Sequence, residues 1–108
     1  MSVTSGRFIT SKDGSQIWAE DAGNKNGIPV VFIHGLACTS LVWDMQFKDP
    51  ALLENLYMVR YELRGHGRSA CPMTAEGYTA QRYAEDFVAV CEAFGLVKPF
   101  VDAWYVTL

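Results

Sequence analysis

Few residues in this chain combine a reactive type with a setting suited to chemistry. His34 and His66 are the two histidines, and each has glycine beside it, in Ile33-His34-Gly35 and Gly65-His66-Gly67. His34-Gly35 ends a continuous apolar run, Val30-Val31-Phe32-Ile33. A short β-branched and aromatic run of this kind reads as a strand buried on both faces, as in the middle of a parallel sheet. Ligands of open α/β sheets bind just past the carboxyl ends of the strands, so residues 36–40 are the first place to look for a site. The second glycine-flanked histidine lies in Arg64-Gly65-His66-Gly67-Arg68-Ser69-Ala70. Its spacing fits the dinucleotide pattern G-x-G-x-x-[GA], with Asp86 about where an acidic partner would be sought. That motif must open a helix so that the pyrophosphate meets its N-terminus. Here Cys71-Pro72 follows, and helical patterning waits until Thr79. The stretch therefore reads as a glycine-rich turn, and no cofactor is expected. His66 reads as a hydrogen-bonded loop residue, and Arg64 and Arg68 as ties to carboxylates or water. The three cysteines, Cys38, Cys71 and Cys91, are odd in number and widely spaced. They give neither a disulfide framework nor a zinc pattern, so no metal is expected. Cys38 lies near the candidate loop but reads as small and inert.

Composition narrows the partners. With 108 residues, half of them apolar and 19% charged, the chain reads as one small globular domain. A net charge of −3 with no long basic run argues against nucleic acid or an anionic membrane surface as partner. The first residues lack the apolar core of a secretory signal. No apolar run is long enough to span a bilayer. A reducing, cytoplasmic setting is the expectation.

The elements that must position these residues follow from local pattern. Residues 7–10 and 16–20 read as a hairpin around Asp13-Gly14. Residues 24–27 form a turn into the buried strand. Residues 40–47 read as a short helix capped by Thr39 or Ser40, with Leu41, Trp43 and Phe47 apolar. Asp49-Pro50 has the form of an N-cap followed by proline in the first turn. Residues 56–62 are a second β-type run. The clearest helix covers 78–94, capped by Thr79, with Tyr83, Phe87, Val90, Cys91 and Phe94 on one face. Arg82 and Asp86 are spaced to pair on the other face. Gly95 and Pro99 end the helix, and Phe100 begins another strand. Trp18, Trp43, Tyr83, Phe87 and Phe94 are assigned to core. The order, a hairpin followed by β-α-β-α-β, gives an α/β class with a mostly parallel sheet. One long helix is too little to cover both faces, so a bare face is expected.

These residues together resemble the N-terminal part of an α/β-hydrolase fold protein. Pro29-Val30-Val31-Phe32-Ile33-His34-Gly35-Leu36 is similar to the family's third strand and its His-Gly turn. Arg60-Tyr61-Glu62-Leu63-Arg64-Gly65-His66-Gly67-Arg68-Ser69 is similar to the loop after the fourth strand, with Glu62 where the family usually has Asp. The helical stretch ending at Gly95 is similar to the next helix, and Trp43 stands where the family often has Trp. The resemblance implies an incomplete α/β-hydrolase sheet, with the third strand between the fourth and fifth. It implies that the Leu36 N–H, turned by Gly35 after His34, is one oxyanion donor. Such a donor is worth about 3–4 kcal/mol of barrier. The nucleophile elbow, Gly-x-Ser-x-Gly, should follow the fifth strand. By spacing, Tyr105 stands at the nucleophile, with Ala103 and Thr107 at the glycines. Asp102 lies three positions too early to replace it. The family's acid and base follow the nucleophile in chain order, so no catalytic residue is assigned within these 108 residues. The resemblance thus divides the chain into a hydrolase portion, 1–101, and an atypical tail, 102–108, as a truncation would. The parent would be a serine-type hydrolase of esters, epoxides or similar small substrates, and this chain its inactive fragment. A non-catalytic module acting through an open sheet edge, by self-association for example, is the alternative.

Overall fold

The computed structural model describes residues 5–35 and 38–103. Five strands form one sheet: β1 (Ser5–Thr10), β2 (Gln16–Gly23), β3 (Ile28–Ile33), β4 (Leu56–Tyr61) and β5 (Phe100–Ala103). Their spatial order is β1-β2-β4-β3-β5. The hairpin strands run antiparallel to each other and β2 runs antiparallel to β4, whereas β4, β3 and β5 are mutually parallel. The sheet is therefore mixed, with a parallel unit of three strands and β3 at its centre. Val31 stands opposite Val59 on one side and Val101 on the other. The expected placement of the third strand between the fourth and fifth is observed.

Local chemistry explains the turns and caps. Asp13 accepts the Ser15 N–H at 3.0 Å, and Gly14 takes φ +89°, which closes the β1–β2 hairpin. The chain from β3 to β4 carries a 3-10 turn (Ser40–Trp43), α1 (Asp44–Lys48) and α2 (Pro50–Asn55). The single helix expected over 40–47 is thus a 3-10 turn, capped by Thr39, that changes to α-geometry at Asp44. Asp49 caps α2 by accepting from the Ala51 and Leu52 N–H groups, with Pro50 in the first turn. From β4 to β5 the chain passes a second 3-10 turn (Ala75–Tyr78) and α3 (Ala80–Ala93), whose N-cap is Thr79. Gly95, at φ +67°, ends α3 as expected.

The core has two layers, one on each face of the sheet. Ile17, Ala19, Val31, Val59 and Tyr61 meet α3 through Val90, with Tyr83 and Phe87 packed alongside. Val30, Phe32 and Met58 meet Trp43 and Phe47 on the opposite face. There the Phe32 ring lies 5.0 Å from Trp43 and 5.8 Å from Phe47. The bare face expected from a single long helix is not found over β2, β4 and β3, because the three short segments after β3 cover it. Uncovered surface lies on the two edge strands: all four residues of β5 are exposed, and all of β1 except Ile9. Asp102 and Ala103 continue β5, opposite Phe32 and Ile33. No helix among the described residues is long and apolar enough to cross a membrane.

Candidate functional site

The chain leaves β3 on one face of the sheet and β4 on the other, since the Trp43 and Phe47 layer follows β3 and α3 follows β4. Helices departing to opposite faces open a crevice at the carboxyl ends of the strands between them. His34 and Gly35 follow β3 at that end, and Glu62, Leu63 and Arg64 follow β4. All five are buried. Three side chains, His34, Glu62 and Arg64, hold this end together.

His34 ties the two loops directly. Its Nε2 accepts the Leu63 N–H at 2.9 Å, and its Nδ1 lies 2.7 Å from the Gly35 carbonyl oxygen. An Nε2 that accepts cannot carry a proton, so the proton is on Nδ1, which donates to Gly35. Burial holds the pKa of His34 below its ordinary value, which keeps the ring neutral at pH 7. The His66 ring lies 5.1 Å away, and its Nδ1 is 3.1 Å from the Arg64 carbonyl oxygen, the loop hydrogen bond expected of it.

Glu62 binds outward to both loops. Its carboxylate accepts the Arg68 N–H at 2.8 Å and the Ser40 hydroxyl at 3.2 Å. Gly67, at φ +52°, lies so close that a side chain there would overlap the Glu62 carboxylate. The Glu62 carboxylate fits there because position 67 is glycine. On the same face of β4, Arg60 reaches Glu20 at 3.1 Å and Asp44 at 2.7 Å, and lies over the Phe47 ring. This anchors the start of α1.

Arg64 is the most completely enclosed charge in the described chain. Nε and Nη2 grip the two Asp86 oxygens at 2.7 Å each; Nη1 and Nη2 reach Asp13 at 3.0 and 3.2 Å; Nη1 also reaches the Gly77 carbonyl at 2.8 Å. All five guanidinium N–H donors are engaged. The Ser11 hydroxyl donates to Asp86 as well. One arginine therefore joins the hairpin turn, the loop after β4 and α3. The Arg64 guanidinium holds the Asp13 carboxyl well below the usual carboxylate range.

Here the expected Arg82–Asp86 pair fails. Arg82 binds Glu85 at 2.8 Å and approaches Asp13, while Asp86 is buried against Arg64. The spacing held the signal: Asp86 is three residues after Tyr83 and four before Val90, on the apolar stripe of α3. An acid in that stripe must have a buried partner. Ser11 and Asp13 carry no comparable signal, because their contact with Arg64 and Asp86 is made only by the fold.

Leu36 and Tyr105 lie outside the described residues, so the expected donor and the expected nucleophile position are not part of this geometry. The grooves between β1 and α3 and beside Asp13 and Pro72 are lined by neither His34, Gly35 nor His66. The described residues at the carboxyl ends form a buried, hydrogen-bonded floor. No cluster among them could hold a metal ion.

The comparisons agree with this fold. No family model matches the chain. It is 39% identical over 84 residues to the Mycobacterium tuberculosis protein named "Probable oxidoreductase EphD", covering 78% of this chain and 14% of that one. It is 38% identical over 88 residues to a non-heme chloroperoxidase of Streptomyces lividans, covering 82% and 31%. Among solved structures, a candidate aryl esterase from Burkholderia cenocepacia superposes with a TM-score of 0.87 at 37% identity, over 93% of this chain and 37% of that one. Epoxide hydrolase VrEH1 from Vigna radiata superposes with a TM-score of 0.81 at 26% identity, over 93% and 31%. The chain thus spans less than a third of the length of these two curated relatives. With β3 flanked by β4 and β5, its His-Gly turn at the carboxyl end and these relatives, the chain carries the N-terminal portion of an α/β-hydrolase fold.

Proposed function

We propose that this chain supplies the oxyanion-side half of a serine-type hydrolase acting on esters, epoxides or similar small substrates, without cofactor or metal. The observation that carries the reading is the fixed Gly35 carbonyl. In a planar trans peptide the C=O and the following N–H point in opposite directions. A Gly35 carbonyl held by His34 at 2.7 Å therefore supports an amide donor at position 36. The names of the relatives, an esterase, an epoxide hydrolase and a non-heme chloroperoxidase, support a small-molecule substrate. The 108-residue polypeptide itself contains no Gly-x-Ser-x-Gly, and on this reading it has no turnover of its own. An activated ester such as p-nitrophenyl acetate tests that: release at the buffer rate is expected, and turnover above it refutes the inactivity. The parent reading is tested on the transcript. A reading frame that continues into Gly-x-Ser-x-Gly supports it, and a locus without such a continuation refutes it.

A second reading, a non-catalytic module, is favoured by β5, where Phe100 and Val101 are 68% and 50% exposed on an edge strand. Such an edge invites pairing with another chain, and a second copy is the simplest partner. Co-purification of the polypeptide with a full-length relative, with no ester turnover, would favour this reading.

A further inference from the structure

His34 joins the loops after β3 and β4 through one imidazole, and its two bonds fix one protonation state. Nε2 accepts from the Leu63 N–H, and Nδ1–H donates to the Gly35 carbonyl. A second proton has one place to go, Nε2, where it would confront the Leu63 N–H donor against donor. The ring is fully buried, so the added charge would also be without water. We propose that His34 is an acid-sensitive latch: neutral, it clamps the two loops at the carboxyl ends of β3 and β4; protonated, it releases Leu63 and frees the loop after β4 from the His-Gly turn. The latch does not depend on the chain being catalytic.

The groups around the ring favour a closed latch at neutral pH. His66 faces it at 5.1 Å and works against a proton on His34. Glu62 attracts a proton to His34, but its carboxylate is already bonded to Ser40 and to the Arg68 N–H and guanidinium. Asp44, on the side of α1, is committed to Arg60; Asp86, on α3, is committed to Arg64. Burial is the largest influence and lowers the ring's pKa from its ordinary 6.5. A ring released from burial binds a proton more readily than the closed one, so the latch is at full strength above the ordinary 6.5 and weakens as pH falls below it.

Amide hydrogen exchange on the 108-residue chain between about pH 7.5 and 5 tests this. After correction for intrinsic exchange, Leu63 protection should fall by up to about tenfold per pH unit in the acid range. The β4 amides, such as Val59, should keep theirs. A flat Leu63 profile, or a fall shared with Val59, overturns the latch. His34→Gln supplies an amide oxygen for Leu63 and an amide N–H for Gly35 but cannot titrate, so its Leu63 protection should not change with pH. An equal fall in that variant overturns the proposal. Should His34→Gln not fold, the ring nitrogen shifts of the unaltered chain decide: the Nδ1–H tautomer near neutrality, protonating as Leu63 opens, is expected. The Nε2–H tautomer, or titration unconnected with Leu63, is the refuting result.

Discussion

At the scale of the residue, a few polar side chains in an apolar setting decide which segments meet. Arg64 has a fully buried side chain, and Asp86 is 1% exposed. Removing one member of such a pair leaves a buried charge without water and short of partners. Asp86→Ala should cost about 3–5 kcal/mol, read as a lower urea midpoint with an unchanged slope. Arg64→Lys should destabilise as well, because a lysine cannot reproduce the fork that spans Asp86, Asp13 and Gly77 at once. Asp13 adds a pH dependence. Its folded pKa lies below its ordinary 3.8, so its contribution to stability is complete above 3.8 and is lost as pH falls below it. Replacing Asp13 with Asn should flatten the acid limb of the stability profile, measured by thermal melts across pH. Gly67 is a further dependent position. Gly67→Ala meets both a positive φ and the Glu62 carboxylate, and should cost more than about 1 kcal/mol.

At the scale of the element, caps and turns were legible because their chemistry is local. The Asp13-Gly14 turn, the Asp49-Pro50 start of α2, the Thr79 cap of α3 and the stop at Gly95 each need only neighbouring residues. Asp49 satisfies two amides of a helix that has no buried residue of its own. Asp49→Ala should therefore fray α2 at a cost of about 1 kcal/mol, visible as faster exchange at Ala51 and Leu52 with β4 unaffected. Less legible were features that depend on a partner distant in sequence. The 40–47 segment divides into a 3-10 turn and α1 at Trp43 and Asp44, where Trp43 is buried on Phe32 and Asp44 bonds Arg60. Arg82 was expected to bind Asp86 by spacing alone, yet Asp86 faces the core, where Arg64 is the stronger partner.

At the scale of the whole molecule, the sheet has a covered layer on each face of its inner strands and two exposed edge strands, β1 and β5. β5 is paired on one side, to β3, and exposes Phe100 and Val101. Apolar residues on an open edge favour strand addition, and a positive charge on such an edge opposes it. Light scattering of the 108-residue chain should give a mass above the monomer that rises with concentration. Phe100→Lys with Val101→Lys should return it to monomer. A monomeric parent chain at high concentration would refute association through β5.

By itself the sequence determined the α/β class, the buried central strand at residues 30–33, the caps and turns, and the resemblance carried by His34-Gly35 and by Arg64-Gly65-His66-Gly67. These depend on periodicity, on φ restrictions and on short-range hydrogen bonds, all of which act within a few residues. Tertiary structure decided what the polar residues in those motifs do. His34 was legible as the end of a strand, but its tautomer follows from Leu63, 29 residues away. Arg64 was legible as a tie to carboxylates, but the identity of Asp13 and Asp86 follows from packing the hairpin and α3 around one guanidinium. A buried charge or imidazole must find its complement wherever the fold brings one, and sequence spacing does not encode that distance.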